Sequence, residues 1–257
     1  MVQYNYLKGW LMKIDYVSDL HLEKSPLRLP PSDSDVLVLA GDIYHVSLFD
    51  YNISGFFEDI SKKYKHVIYV PGNHEYFDSD ISIIKSLKQF CENYKNVYLL
   101  DNEIKIIDDV QFICGTGWTH FNSLDAGTMK QATRTINDYR RIKNGNNMLT
   151  IYDIIEKHAE FVKFFKSVDK TKYKNITVTH HSPTLLTSSG KKTDTYETLG
   201  CFCSDMLPYM KGVDYWIHGH QHDGIDVDHE GCKVRSNSRG YKFEDCFNNF
   251  NVRTIEV

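Results

Sequence analysis

The sequence predicts an α/β protein in which two layers of β-sheet are flanked by helices. Three observations predict it. Strand-like and helix-like segments alternate at both ends of the 257-residue chain, and clusters of short strands lie between and after them. In addition, five separate strands break off at turns that carry Asp, Asn or His. The length suffices for a substantial core, and 41% hydrophobic with 25% charged residues is ordinary for a globular chain.

Taken in order, Ile14 to Val17 form the first strand and lead into Ser18-Asp19-Leu20-His21. Pro26, Pro30 and Pro31 mark residues 23–35 as a loop. The apolar run Val36 to Ala40 is the second strand, stopped by Gly41-Asp42. Phe56, Phe57 and Ile60 give residues 50–64 one apolar helical face. His66 to Val70 is a third strand, cut off by Pro71-Gly72 so that Asn73 and His74 stand at its carboxyl end, where open α/β sheets place their ligands. A second helix is expected near residues 79–94, with Ile83, Ile84, Leu87, Phe90 and Cys91 on one side. Residues 96–100, 104–107 and 111–115 read as short strands, with Asp108-Asp109 as a hairpin turn.

Residues 125–143 read as a helix carrying Lys130, Arg134, Arg140, Arg141 and Lys143. A solvated face is the simpler account of these cations, a phosphate-facing patch the other. Residues 150–168 have the clearest helical pattern, with Thr150 as N-cap and Asp153 at the third helical position. Ile176 to Thr179 is a strand delivering His180-His181. Residues 183–200 have no period, and a loop of that length in a compact domain is commonly a lid or a binding loop. Asp214 to Ile217 leads into His218-Gly219-His220-Gln221-His222, and strands at 225–228, 232–235 and 252–257 follow. No repeat, linker or low-complexity tract interrupts the chain, so a single domain over 1–257 is expected, with residues 1–12 as an N-terminal extension.

The strand ends supply seven candidate metal ligands: Asp19, His21, Asp42, Asn73, His180, His220 and His222. Asp19 and His21 are two apart, as are His220 and His222, a spacing that puts both side chains on one face of a strand. Gly41 and Gly219 allow the backbone to turn sharply beside them. Nitrogen and oxygen donors without a cysteine favour ions of the manganese, iron, zinc, cobalt or nickel type. Seven groups are too many for one ion and suit two, with Asp42 as the carboxylate that bridges. Two such ions would lie roughly 3.5–4 Å apart. His74 follows Asn73 directly, which leaves it to hold a phosphoryl oxygen or to protonate a departing one. His45 is a candidate for facing the substrate, or else a surface histidine at a helix start. A lone histidine at a strand end is usually a core or surface group; five strand ends bearing ligand chemistry argue otherwise.

The net charge of −4 speaks against polyanion binding through bulk charge. No apolar run approaches the roughly 20 residues that span a bilayer, and residues 1–13 lack the pattern of a signal peptide. Six scattered cysteines, Cys201-Phe202-Cys203 included, read as free thiols. A cytoplasmic protein is expected.

In order and approximate spacing, Asp19-x-His21, Gly41-Asp42, Gly72-Asn73-His74-Glu75, Thr179-His180 and Gly219-His220-x-His222 resemble the calcineurin-like metallophosphoesterases. The resemblance runs from residue 14 to about 241. Residues 115–121, Asn137-Asp138-Tyr139-Arg140-Arg141-Ile142 and residues 236–241 are similar to stretches of the small bacterial and phage members. The resemblance implies a four-layer α/β/β/α sandwich of two mixed sheets. It also implies a dinuclear centre in which Asp19, His21 and His222 hold one ion, Asn73, His180 and His220 the other, and Asp42 bridges. His74 matches the histidine that assists catalysis, and His181 a neighbour of the ligands or a substrate contact. Gly41-Asp42-Ile43-Tyr44-His45-Val46 departs from the Gly-Asp-x-x-Asp-Arg-Gly signature of protein serine/threonine phosphatases, and His45 stands where purple acid phosphatases need a ligating tyrosine. The expected cofactors are two divalent ions, Mn²⁺ foremost, with Fe, Zn, Co, Ni or Mg as alternatives. The expected activity is hydrolysis of a phosphate ester by a bridging hydroxide, with a phosphodiesterase preferred to a phosphomonoesterase, a nuclease or a non-catalytic scaffold. A small phosphate ester or nucleotide is the expected partner, met by Tyr139, Arg140, His45 and His181; nucleic acid is disfavoured and a membrane excluded.

Overall fold

The computed structural model describes residues 11–48 and 51–257. Its principal elements begin with strands β1 (Lys13–Val17) and β2 (Val36–Ala40), helix α1 (Tyr51–Lys63), β3 (His66–Val70) and helix α2 (Ile84–Cys91). Strands β4 (Val97–Leu99), β5 (Glu103–Ile107) and β6 (Val110–Gly115) follow, then helices α3 (Ala126–Thr135) and α4 (Ile151–Ser167). The chain continues through β7 (Lys174–Thr179), β8 (Tyr215–His218), β9 (Val227–His229), β10 (Cys232–Ser236) and β11 (Arg253–Glu256).

Both main sheets are mixed. The first has the order β11-β1-β2-β3-β4, parallel throughout except for the edge pair β11–β1. The second has the order β9-β10-β8-β7-β6-β5, with four parallel strands inside and an antiparallel strand at each edge. Ser79–Asp80, Ile142–Asn144 and Asn147–Met148 make a small third ribbon.

The alternation of side chains along each strand decides what the sheets pack against. Leu37 and Leu39 of β2, with Val67 and Tyr69 of β3, join Phe57 and Ile60 of α1 and Leu87 of α2 in one core. The intervening Val36, Val38, Ala40, Ile68 and Val70 meet Phe112, Cys114, Ile176, Val178 and Ile217 of the second sheet in another. On the far side of that sheet Ile113 and Trp216 pack on Phe161 and Phe165 of α4. Strands buried on both faces need apolar residues at every position, which is why β2 reads Val-Leu-Val-Leu-Ala. A reciprocal cap fixes the start of α4: the Asp153 amide donates to Thr150 Oγ1 at 3.2 Å, and the Thr150 amide to Asp153 Oδ2 at 2.7 Å.

Two expected helices are shorter than their patterns. In the second, Ser79–Asp80 joins the small ribbon and Ile81–Ile83 forms a tight turn capped by Asp80, so α2 starts only at Ile84. Residues 125–143 are not one helix. α3 ends at Thr135, Ile136 is extended, Asp138–Arg141 makes a single turn, and Ile142 enters the ribbon with its side chain fully buried. Thr133, Thr135 and Ile136 are β-branched and weaken the helix there, while the break carries Asp138 under the loop after β3. Residues Phe121 to Leu124 form a left-handed turn, φ 52 to 67°, a conformation that costs about 1–2 kcal/mol per residue. Asn122 holds it, donating to Tyr196 O at 2.7 Å and Thr128 Oγ1 at 3.1 Å. Met12, expected in an extension, is buried and exchanges backbone hydrogen bonds with Val257; residues 1–10 lie outside the described residues. All six cysteines are free. Among the described residues no helix is long and apolar enough to cross a membrane.

Candidate metal centre

Each of the seven candidate ligands lies just past a strand end: Asp19 and His21 after β1, Asp42 after β2, Asn73 after β3, His180 after β7, His220 and His222 after β8. The two-residue pairs therefore do not share a strand face, as their spacing suggested. Sharp turns bring them together instead. Asp19, His21, Asp42 and His220 have φ of 51, 44, 56 and 66°, the left-handed region that non-glycine residues rarely enter. Cross-links between the loops hold this backbone. The Asp19 amide donates to Gly41 O at 2.9 Å, the His21 amide to Asp42 O at 3.1 Å, and the His220 amide to both Asp19 carboxylate oxygens at 3.1 Å. Glu75 ties the β2 and β3 loops, accepting from the amides of Asp42, Ile43 and Gly72 at 2.9, 2.6 and 2.6 Å and from Tyr69 Oη at 2.8 Å. Packing is tight enough that a Cβ on Gly72 would stand 2.1 Å from Asp42 Oδ1, and one on Gly219 2.6 Å from Asp19 Oδ2.

The side chains converge in two groups. His180 Nε2 is 3.1 Å from Asn73 Oδ1, 3.1 Å from His220 Nδ1 and 3.2 Å from Asp42 Oδ1. On the other side His222 Nε2 is 3.4 Å from both Asp19 Oδ1 and His21 Nε2. Asp42 joins the groups, since ligand atoms of Asp42, His180 and His220, and of His21, Asp42 and His74, lie within 4.8 Å of one another.

Proton accounting shows what the centre fits. His180 Nδ1 donates to Ala40 O at 2.9 Å, which leaves Nε2 as a lone pair. Asn73 Nδ2 donates to Asp138 Oδ1 at 2.8 Å, which turns the amide oxygen inward. His222 Nδ1 faces Glu244 Oε2 at 2.6 Å, so its Nε2 points at Asp19. Such carboxylate and carbonyl partners orient ligating side chains. Lone pairs that meet at 3.1–3.4 Å repel unless a cation lies between them, and this set of nitrogen and oxygen donors fits two divalent ions. In their place protons accumulate. Burial opposes charge on His180, but the Asp42 carboxylate prevails and raises its pKa to about 9. Burial likewise loses on His222, lifted by Asp19 and Glu244 to about 10. Asp42, despite its burial, is held well below the usual carboxylate range by His180 and His74.

His74 sits at the cavity side of the centre. Its amide donates to Asp42 Oδ1 at 2.9 Å, its ring packs on Phe77 at 4.1 Å, and its Nε2 lies 3.8 Å from Asp42 Oδ2 and 3.4 Å from Tyr241 Oη. The expected substrate contacts fare differently. His45 is only 1% exposed and touches His74 rather than the cavity. His181 is buried behind the centre, its ring 4.2 Å from that of His220 and 5.2 Å from Trp118. Tyr139 packs with Trp118 and Phe121 in a hydrophobic core. The Arg140 guanidinium turns to the surface, against Thr133 O, Arg134 O and Asn137 Oδ1 at 3.4 Å, and Arg141 pairs with Asp78. The helix break at Ile136 sends Arg140 away, while the Arg141 guanidinium lies 4.4 Å over the ring of Phe77. Asp138, Glu244 and Tyr241, not singled out from the sequence as site residues, are the side chains that instead surround the centre.

A cavity of about 450 Å³ opens over it. One wall is apolar, with Phe77, Ile136, Leu199, Phe202 and Tyr241. The 183–200 segment contributes Lys191, Thr193, Asp194, Thr198 and Leu199. Lys191 is the one lysine or arginine that lines it among the described residues, and it is paired with Asp223.

Comparison with known proteins gives four further findings. A family model described as calcineurin-like phosphoesterase matches residues 12–224. An uncharacterized protein, L509, of Acanthamoeba polyphaga mimivirus is 31% identical over 270 residues, covering 92% of this chain and 93% of that protein. Among solved structures, a phosphopantetheinyl hydrolase from Mycobacterium tuberculosis superposes with a TM-score of 0.74 at 15% identity, over 96% of each chain. A dimetal phosphatase from Danio rerio does so with a TM-score of 0.54 at 11% identity, over 96% of this chain and 92% of that one.

Proposed function

The chain belongs to the calcineurin-like phosphoesterases, and from that premise we propose that its centre hydrolyses phosphodiesters with two divalent ions, manganese foremost. Asp19, His21 and His222 would hold one ion, Asn73, His180 and His220 the other, with Asp42 placed to serve both. The observation that carries this reading is the position of Asp42 between two groups of inward lone pairs. When bound, the ions supply Lewis acidity that acidifies water for attack on phosphorus and neutralises the phosphoryl oxygens.

The remaining work falls to side chains. His74 faces the cavity over the centre, and burial drives its pKa down to about 3. The ring is therefore neutral and acts through a single N–H. As the bond from phosphorus to the leaving oxygen breaks, that oxygen keeps the electron pair while the His74 N–H donates a hydrogen bond to it. The oxygen then takes the proton released by the attacking water, so the ring is unchanged, one water is consumed, and one alcohol and one phosphomonoester are formed. Asp138 and Glu244 hold Asn73 and His222 in their inward orientations.

The preference for diesters rests on the cavity wall. A monoester dianion needs a further cation at its terminal oxygens, and the single lining lysine is neutralised by Asp223. A diester monoanion has no such need, and its second substituent finds the apolar wall. With the Mn²⁺-reconstituted protein, kcat/KM for bis-p-nitrophenyl phosphate is expected to exceed that for p-nitrophenyl phosphate by about tenfold or more, the loss of at least one charged hydrogen bond. A monoester preference would overturn the diester assignment and leave the metal assignment standing.

Metal binding is expected to release protons. At pH 7 the metal-free centre keeps His180 and His222 protonated, with pKa values raised to about 9 and 10. A cation requires both nitrogens bare, so each site should bind about tenfold more tightly per pH unit gained below those values, with a plateau above them. Titration calorimetry in buffers of different ionisation enthalpy measures the release directly. No proton release between pH 6 and 8 would remove these two histidines from the ligand set.

A further inference from the structure

Behind His74, on the side away from the cavity, lie two buried groups that the reaction above does not use. His45 Nε2 is 3.2 Å from His74 Nδ1. It is also 3.4 Å from Glu23 Oε1, whose side chain is 3% exposed. The same oxygen is 3.8 Å from His21 Nδ1. Neither Glu23 oxygen has a hydrogen-bond donor, and His45 Nδ1 has no partner either. Ligand atoms of Glu23, His45 and His74 all lie within 4.8 Å of one another.

The position of one proton follows from these contacts. A buried N–H without an acceptor is rarer and costlier than a buried lone pair without a donor. His45 Nδ1 faces no acceptor, so it is the lone pair and the ring proton sits on Nε2. There it faces His74 Nδ1 at 3.2 Å, with Glu23 Oε1 3.4 Å away. His74 Nδ1 must then be bare to accept it. The proton of His74 is thereby confined to Nε2, the nitrogen nearest Tyr241 Oη and Asp42, on the cavity side.

We infer that His45 and Glu23 are positioning residues that fix the tautomer and ring orientation of His74, so that its Nε2–H is aimed at the leaving oxygen. This deepens the assignment of His74 above and rests on it. Without His45 the ring gains a second tautomer, with its proton on Nδ1 and a lone pair toward the departing oxygen. That form repels the charge which develops there. The penalty grows with the charge, so it depends on how much the leaving oxygen needs a proton.

Two measurements test this, one of which involves no turnover. The first compares two diesters, one losing p-nitrophenolate and one losing an aliphatic alkoxide, in wild type, His45→Ala, His45→Asn and Glu23→Gln. Loss of one hydrogen bond to a developing oxyanion costs about 10²–10³-fold. The His45 variants are expected to lose about 100-fold or more on the alkoxide substrate and under about tenfold on the nitrophenolate one, with Glu23→Gln between them and wild type. Metal content by elemental analysis should stay at wild-type stoichiometry. Equal losses on both substrates, or no loss on either, would overturn the inference. His45→Asn keeps most of the buried volume and provides the reading if His45→Ala fails to fold. The second measurement is ¹⁵N NMR of histidine-labelled protein, with the His74 signals identified by their disappearance in His74→Asn. The wild-type ring should be the Nε2–H tautomer and shift toward Nδ1–H in His45→Asn. A wild-type ring protonated on Nδ1 alone overturns the inference. Absence of turnover on either diester in metal-loaded wild type would instead defeat the proposed function, and the NMR result would still stand or fall by itself.

Discussion

Rigorous removal of divalent metal should lower turnover by about 10³-fold or more, with Mn²⁺ restoring it. Such a loss corresponds to about 4 kcal/mol of transition-state stabilisation, within the range for charge placed at a developing oxyanion. The size follows from how little cationic help the chain itself offers. Among the described residues the cavity contains one lysine, already paired with Asp223; Arg140 faces elsewhere, and Arg141, over Phe77, is paired with Asp78. With the ions gone, His180 and His222 hold protons, which neither polarise phosphorus nor acidify water comparably. Activity of the stripped protein on bis-p-nitrophenyl phosphate, with metal content measured in parallel, checks this. Undiminished turnover at less than one ion per ten chains would sink the hydrolytic reading.

The second large effect is expected from Asp42→Asn. The amide nearly matches the carboxylate in size, which matters where Gly72 leaves no slack. It removes one negative charge and replaces an acceptor by a donor that points at lone pairs. Both ions should be affected, because Asp42 is the side chain common to the two groups. The expectation is fewer than two ions bound at Mn²⁺ concentrations that saturate wild type, and turnover reduced by about 10³-fold. The metal-free variant should unfold within a few degrees of metal-free wild type. Two ions retained with near wild-type turnover would show that Asp42 does not bridge.

Much of the fold and most of the candidate centre were legible in the sequence, for definable reasons. β2 and β3 announce themselves because strands buried on both faces admit almost nothing polar, and their abrupt ends at Gly41 and Pro71-Gly72 expose the residues that follow. The supporting carboxylates were not legible. Asp138 is separated by 65 residues from the amide it orients, and Glu244 stands in a polar tail segment where an acidic residue normally faces water. Glu23 lies in a proline-punctuated loop and gives no periodic signal. Only their tertiary contacts distinguish these three from surface acids, and those contacts join residues distant in sequence. Arg140 was singled out on a signal of the opposite kind. The helical pattern continues through residue 143, but β-branched residues and the demand to bury Ile142 stop the helix at Thr135.

The left-handed backbone at Asp19, His21, Asp42 and His220 has a bearing on how such a protein drifts. A glycine at any of these positions would relieve about 1 kcal/mol of conformational strain. Selection for robustness alone would thus erode the ligands, and a lineage no longer held to hydrolysis would harden as it went silent. Retention of all four side chains in that geometry is maintained against a downhill path.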